Sequence, residues 1–158
     1  MSDSTAAQAR AESLARSSHA GQTDRLGAAY FHHPEAVADI VRDRHPDNGD
    51  AIVGAWLHDV VEDTDVELAE IRAEFGNAVA DAVDAITRRD GEDPDDYYRR
   101  VAANATALTV KRADLTHNTD PARTAQLPVA DRQRLEDKYR HAIEMIGWGD
   151  DAPTWATP

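Results

Sequence analysis

Apolar residues recur with helical spacing along most of this sequence, and no segment alternates apolar and polar residues as a half-buried strand would. One example is the segment NAVADAVDAITRR, where Val79, Val83 and Ile86 fall on a single stripe. Glycines, prolines and short polar clusters separate the periodic segments from one another. The pattern predicts an all-α fold built from several amphipathic helices.

The length and the capping residues give an expected organisation. A chain of 158 residues is long enough for one hydrophobic core, so we expect a single domain over residues 1–150 and a loose tail over residues 151–158. Asn48 or Asp50, Asp65 and Asn104 are suited to begin helices, because their short side chains accept hydrogen bonds from free backbone N–H groups. Pro121 is expected to end the helix that contains VKRADLTHN.

Composition excludes several classes of function. The chain has no cysteine, so any metal site must use histidine and carboxylate ligands. A formal net charge of −13 argues against general binding to nucleic acid or to an anionic membrane. The longest apolar run, AIVGAWL, is too short to cross a bilayer, and the first residues lack the apolar core of a secretory signal. We therefore expect a cytoplasmic protein.

The segment AWLHDVVEDT, residues 55–64, combines a buried-type helix with clustered ionisable residues. On a helical wheel its His-Asp pair and its Glu-Asp pair fall within an arc of about 140°, and apolar residues fill most of the opposite arc. These four residues are His58, Asp59, Glu62 and Asp63. An acidic, solvated helix face would give this pattern, and so would a site for a cation. No lysine or arginine relieves the repulsion on this face, but spacing alone leaves both interpretations open.

The segment VKRADLTHN is the second candidate region. Lys111, Asp114 and Asn118 share one helix face within an arc of about 60°. A surface ion pair between residues three positions apart would explain the first two. A ligand site would also explain them, with one carboxylate, one ammonium group for a phosphate and one amide. Arg25, in the glycine-flanked loop QTDRLG, is another possible anion contact.

The histidines can be sorted only in part. His33 and His45 each precede a proline, and His33 would stand at the beginning of a helix. Spacing does not decide whether His32 or His33 faces inward. His45 lies in a polar break, where a surface position is favoured.

Four segments, taken in order, resemble the HD-domain phosphohydrolases of the ppGpp hydrolase type, which include the hydrolase domain of RelA/SpoT enzymes and small stand-alone alarmone hydrolases. The resemblance runs from about Ala15 to Asn118, and the segments are HAGQTDRLGAAYFHHPEAVA, AWLHDVVEDT, EFGNAVADAVDAIT and VKRADLTHN. It implies an HD-domain helical bundle and a metal-dependent phosphohydrolase that cleaves phosphate or pyrophosphate from a phosphorylated nucleotide. A non-catalytic nucleotide-binding or regulatory module with the same fold is the alternative.

The resemblance also implies a role for individual residues. The ligands of one divalent metal, commonly Mn²⁺ in the family, correspond to His33, His58, Asp59 and Asp114. The pair that positions or deprotonates the attacking water corresponds to Glu62 and Asp63. The substrate contacts correspond to Arg25, Lys111 and Asn118. The intact Glu-Asp pair favours an enzyme, because ligand binding alone would not need it.

The sequence departs from the family pattern around the nucleotide. Alarmone hydrolases usually carry an arginine near the guanine base where this chain has Asp24, and a proline where it has Ala29. After Asn118, the usual arginine and hydroxyl-bearing residue are replaced by Asp120 and Pro121. These changes spare the metal and water groups but alter the base and sugar contacts. We therefore expect weak or absent ppGpp hydrolysis and a preference for a different phosphorylated nucleotide or cofactor.

Overall fold

A computed structural model describes residues 3–156 of the chain. The helices are α1 (Asp3–Ser18), α2 (His32–Arg44), α3 (Gly49–Leu57), α4 (Val60–Asp63), α5 (Leu68–Phe75), α6 (Asn77–Ile86), α7 (Pro94–Ala102), α8 (Ala105–Asn118), α9 (Pro121–Thr124) and α10 (Val129–Ile146), and two 3₁₀ turns follow at Gly149–Asp151 and Thr154–Ala156. Within these described residues, β geometry is confined to an isolated bridge between Thr23 and Ala29. The all-α prediction is confirmed.

Helix α3 lies at the centre of the molecule. It packs against α1, α2, α6 and α8, and every residue from Ala51 to Leu57 is buried. An almost wholly apolar sequence is required here, because each side of the helix faces another helix. No helix in the part of the chain that the structure describes is both long and apolar enough to cross a membrane.

The segment AWLHDVVEDT, which the sequence predicted as one continuous helix, is divided into two. Helix α3 ends at Leu57, and α4 begins at Val60. The side chain of His58 explains the break, since its Nδ1–H donates to the carbonyl oxygen of Ala55 at 2.7 Å and caps the end of α3. The backbone of Asp59 then turns (φ −106°, ψ −1°), so the His-Asp pair lies in the turn between the two helices and the Glu-Asp pair forms the end of α4.

The predicted helix boundaries are correct at two positions and wrong at two. The side chains of Asn48 and Asn104 cap α3 and α8 by accepting N–H groups of Ala51 and Ala107. Asp65 does not cap α5, which begins after Glu67. Pro121 does not end α8, because that helix has already ended at Asn118, and the proline instead begins α9.

The beginning of the segment expected to be a loose tail is held against the body of the protein. Asp151 is buried, and its Oδ1 lies 2.7 Å from His45 Nε2. Its other carboxylate oxygen lies 3.8 Å from the guanidinium of Arg112, which donates to the carbonyl oxygens of Ile146 and Gly147. The sequence did not indicate this anchor, because both partners are more than 30 positions away from Asp151. His45, for which a surface position was favoured, is half-buried and paired with Asp151.

We expect Asp151→Ala to lower the free energy of unfolding by about 1–3 kcal/mol, because His45 and Arg112 would lose their common partner. Asp150→Ala, at an exposed neighbouring position, is the matched control and should have little effect. Urea titration measures both variants. Equal stability of the two variants would show that the segment is loose after all.

Candidate metal centre and substrate cavity

A cavity of about 310 Å³ opens between the loop that joins α1 to α2, helix α4, helix α8 and helix α10. Eight of the nine site residues predicted from the sequence line it, namely Arg25, His33, Asp59, Glu62, Asp63, Lys111, Asp114 and Asn118. The ninth, His58, is buried directly behind and contacts Asp59 and His33. Residues separated by up to 93 positions in the sequence (25 to 118) are therefore brought to one place.

Four side chains meet at the base of this cavity, where α2, α3 and α8 join. The facing atoms are His33 Nε2, His58 Nε2, Asp59 Oδ2 and Asp114 Oδ1, and five of the six distances among them lie between 2.9 and 3.7 Å. A divalent ion bound to nitrogen and oxygen at about 2.0–2.2 Å holds neighbouring ligand atoms about 3.0–3.4 Å apart. The spacing and the donor types therefore fit a divalent metal.

The orientation of His58 supports the same conclusion. Because its Nδ1–H donates to Ala55, the lone pair of Nε2 faces the cluster. Burial acts to lower the pKa of His58, but the Asp59 and Asp114 carboxylates outweigh it and raise the pKa well above its ordinary value. The negative charges of Asp59 and Asp114, which favour a proton on His58, would also attract a metal cation.

His33 is oriented by His117, a residue that the sequence reasoning did not single out. The Nδ1 atoms of the two rings lie 2.7 Å apart, and the rings stack with their centroids 4.9 Å apart. Burial and the neighbouring His33 lower the pKa of His117 to about 4, so this ring is neutral at neutral pH and its Nδ1 can accept. His33 then donates from Nδ1, which leaves its Nε2 free to face the cluster. The sequence contained one indication of this role, because His117 lies about one helical turn after Asp114 and therefore close to the same helix face.

Asp114 is held by two other predicted residues. Lys111 donates from Nζ to Asp114 Oδ2 at 2.7 Å, and both side chains are buried. Asn118 donates from Nδ2 to Asp114 Oδ1 at 3.0 Å. Burial acts to raise the pKa of Asp114, but the Lys111 charge and the histidines hold it well below its usual range. The pair is thus not the surface ion pair that spacing alone allowed.

The carboxylates of Glu62 and Asp63 lie beside this cluster on the cavity wall. Glu62 Oε1 accepts the backbone N–H of Arg88 at 2.6 Å, which fixes its position. Tyr30 donates to Asp59 Oδ2 at 2.5 Å, and its hydroxyl also lies 3.4 Å from Asp63 Oδ2. Desolvation and the nearby charge of Asp59 raise the pKa of both Glu62 and Asp63 above ordinary values. Raised pKa values make both carboxylates better proton acceptors.

The loop that carries Arg25 is held by Asp24. Asp24 Oδ1 accepts the backbone N–H groups of Leu26 and Ala28 at 2.9 and 3.0 Å. Gly27 has a positive φ of 81°, which lets the chain turn tightly between these two residues. The acidic residue at the position of the family's arginine therefore has a structural task within the loop.

Arg88 also lies at the cavity, although it is not among the site residues predicted from the sequence. Its guanidinium carbon lies 4.2 Å from the centroid of the Tyr97 ring, and the side chain lines the cavity. Nothing in the local pattern of TRRD distinguishes Arg88 from Arg89, because the difference depends on which of them faces α7.

The protein is therefore all-helical, and two histidines and two aspartates face one another in it with the donor types and distances of a divalent-metal site. A family model described as the HD domain matches residues 11–132, and the chain belongs to this family. The expected HD-domain fold is thereby confirmed.

Several curated proteins are similar to this chain. A guanosine-3′,5′-bis(diphosphate) 3′-pyrophosphohydrolase of Haemophilus influenzae is 35% identical over 116 residues, which are 66% of this chain and 17% of that protein. A probable GTP pyrophosphokinase of Mycobacterium leprae is 35% identical over 146 residues, which are 87% of this chain and 18% of that protein. The chain thus spans less than one fifth of the length of these relatives.

One solved structure has a similar fold. It is described as "A metazoan ortholog of SpoT hydrolyzes ppGpp and plays a role in starvation responses", and it superposes with a TM-score of 0.71. The match covers 89% of this chain and 85% of that chain at 22% sequence identity. It supports the helical fold.

We expect His117→Ala to weaken Mn²⁺ binding about 10- to 100-fold, because His33 would lose the partner that orients its ring. His141→Ala removes an exposed histidine paired with Asp95 and is the matched control. Calorimetric titration of each metal-free protein gives the affinities. Wild-type affinity in His117→Ala would mean that His33 is oriented without this contact.

Proposed function

We propose that this chain is a metal-dependent phosphohydrolase that releases phosphate or pyrophosphate from a phosphorylated nucleotide. The observation that carries this proposal is the position of Glu62 and Asp63, two carboxylates with raised pKa beside the buried His-Asp cluster. The similarity to pyrophosphohydrolases of guanosine-3′,5′-bis(diphosphate) supports the reaction class.

We assign the metal ligands to His33, His58, Asp59 and Asp114. Two imidazoles and two carboxylates suit a borderline-to-hard divalent ion, and we propose Mn²⁺. When bound, such an ion polarises a phosphoryl oxygen and lowers the pKa of water. The chain itself contributes the orientation of the four ligands, through Ala55, His117, Lys111, Asn118 and Tyr30.

Glu62 and Asp63 would handle the proton of the attacking water. The water oxygen forms a bond to phosphorus, the bond from phosphorus to the ribose oxygen breaks, and the water proton passes to the carboxylate pair. The ribose oxygen takes up this proton from the carboxylate pair and leaves as a hydroxyl group. The backbone N–H of Arg88 holds Glu62 in place for this transfer.

Substrate binding is assigned to Arg25, Lys111 and Asn118. Arg25 is exposed at the cavity mouth, whereas Lys111 and Asn118 lie deeper and already contact Asp114. In a chain of net charge −13, a polyanionic substrate needs local cations to offset the repulsion. Lys111 adds its charge beside Asp114, and Asn118 retains its amide oxygen as an acceptor for a sugar hydroxyl.

A nucleotide-binding module without turnover is the second candidate, and it is favoured by the altered residues around the nucleotide, Asp24, Asp120 and Pro121. A panel of phosphorylated nucleotides with Mn²⁺, assayed for phosphate and for pyrophosphate, separates the two. Release of either product from one of them supports the hydrolase. Binding of nucleotide with no product from any member of the panel would support the module.

The double variant Glu62→Gln/Asp63→Asn should keep its metal but lose kcat by about 10²-fold or more, the scale of a lost general base. Asp65→Asn, an exposed acid on the same stretch, is the control and should retain activity. Turnover and metal content are measured on the same samples. Near wild-type turnover would show that another group accepts the proton. Loss of metal would show that Glu62 and Asp63 are metal ligands.

Two substitutions of Asp114 separate its ligand role from its ion pair. Asp114→Asn should lose most Mn²⁺ affinity while retaining an acceptor for Lys111. Asp114→Ala should lose the metal and also about 3–5 kcal/mol of unfolding free energy, because it leaves a buried ammonium group unpaired. Metal analysis and urea titration give both quantities. Full metal occupancy in Asp114→Asn would refute the ligand assignment.

A further inference from the structure

His19 follows helix α1 and is buried, although it does not line the cavity. Its Nδ1 lies 2.9 Å from Oε1 of Gln22, and Nε2 of Gln22 donates to the backbone carbonyl oxygen of Asp63 at 3.0 Å. Asp63 is the last residue of α4, and the last carbonyl groups of a helix have no partner within the helix. The Gln22 side chain therefore connects a buried histidine to the end of the helix that carries the proposed proton acceptors.

The direction of both hydrogen bonds follows from the chemistry of the groups. A backbone carbonyl oxygen can only accept, so the amide group of Gln22 faces Asp63 with its NH₂ and faces His19 with its oxygen. That oxygen can also only accept, so Nδ1 of His19 carries the hydrogen. In the neutral ring, Nε2 then carries a lone pair. This nitrogen is buried and has no hydrogen-bond partner among residues 3–156.

The unpartnered Nε2 indicates why a histidine stands at this position. A buried polar atom without a partner is unfavourable, and an apolar side chain of similar size would avoid that cost. Packing alone therefore does not account for His19. The group that an apolar side chain could not replace is the Nδ1–H, whose hydrogen bond leads through Gln22 to Asp63.

His19 also packs against Tyr30. The ring centroids lie 4.9 Å apart, with the rings tilted by 47°. The backbone N–H of Tyr30 donates to the carbonyl oxygen of Gln22 at 2.9 Å, and its hydroxyl lies 3.4 Å from Oδ2 of Asp63. The backbone and the carboxylate of Asp63 are thus both contacted by side chains that pack around His19.

We propose that His19 is a positioning residue for the Glu62–Asp63 pair and that it acts through Gln22. This inference rests on the proposed function, because it takes Asp63 as part of the group that accepts the proton. Neither His19 nor Gln22 lines the cavity or hydrogen-bonds to a proposed metal ligand. Substitutions at the two positions should therefore lower kcat while KM and Mn²⁺ affinity stay near their wild-type values.

The first test compares His19→Asn with His19→Gln. The Asn amide places an N–H donor near the position of Nδ1, whereas the Gln amide places it near that of Nε2. Steady-state kinetics are measured with Mn²⁺ and guanosine-3′,5′-bis(diphosphate), or with the nucleotide of the panel that is hydrolysed fastest. His19→Gln should lower kcat about 10- to 100-fold, the usual effect of losing a supporting contact, and His19→Asn should retain most of it.

Gln22→Glu is the second variant. Its carboxylate still accepts from His19 but cannot donate to the carbonyl oxygen of Asp63, so kcat should fall as in His19→Gln. The double variant should lose no more than either single one, because both changes break the same connection. His141→Gln alters an exposed histidine paired with Asp95 and is the matched control, with unchanged kcat.

Hydrogen exchange of the metal-free protein gives a measurement that does not depend on turnover. The N–H groups of Asp63 and Thr64 donate to the carbonyl oxygens of Asp59 and Val60 at 3.0 and 3.1 Å, and these bonds hold α4 together. Both N–H groups should exchange faster in His19→Gln than in His19→Asn, because only the first variant loses the connection to the end of α4. Exchange is followed by NMR, and thermal unfolding shows that each variant is folded.

Three results would overturn the inference. These are equal kcat in His19→Asn and His19→Gln, loss of Mn²⁺ from either variant, and equal exchange of the α4 N–H groups in both. If neither His19 variant folds, Gln22→Glu against the wild-type protein decides by the same measurements. Failure of the proposed function is distinguishable. If the wild-type protein releases no product from any nucleotide while exchange differs as expected, the hydrolase proposal fails and the hold of His19 on Asp63 stands.

Discussion

The structure depends on the meeting of two imidazoles and two carboxylates in a mostly buried place between α2, α3 and α8. Groups of this kind are costly to bury unless each finds a partner. Here Ala55 and His117 take one nitrogen of each histidine, and Lys111, Asn118 and Tyr30 take oxygens of the aspartates. Two histidine nitrogens and one oxygen of each aspartate still face one another at distances close to those between metal ligands, which is why we propose that a divalent ion completes the cluster.

That constraint explains other features of the fold. Helix α3 ends where the His58 side chain turns back onto Ala55. The Glu-Asp pair therefore lies at the end of a new short helix, α4, and lines the cavity instead of continuing α3. The α1–α2 loop and α9 border the same cavity and are joined by the Asp24–Arg123 ion pair. The proposed metal ligands and the rest of the cavity wall therefore come from different segments of the chain.

The sequence predicted the helical class, the central helix and nearly all of the residues around the cavity, because these follow from periodicity and from motifs with fixed spacing. It could not predict contacts between distant segments. His117 and Arg88 were overlooked because their neighbours come from α2, α4 and α7, and the anchored Asp151 because its partners are His45 and Arg112. The break at His58 was missed since a helical wheel treats the chain as one helix and takes no account of a side chain that hydrogen-bonds to the backbone.

The most direct test of this account is electron paramagnetic resonance of the wild-type protein titrated with Mn²⁺. The account predicts one tightly bound ion per chain, with spin-echo modulation from two imidazole nitrogens, those of His33 and His58. A tightly bound ion without imidazole coupling would contradict it. Such a result would indicate that the ion binds instead to the neighbouring carboxylates of Asp59, Glu62 and Asp63.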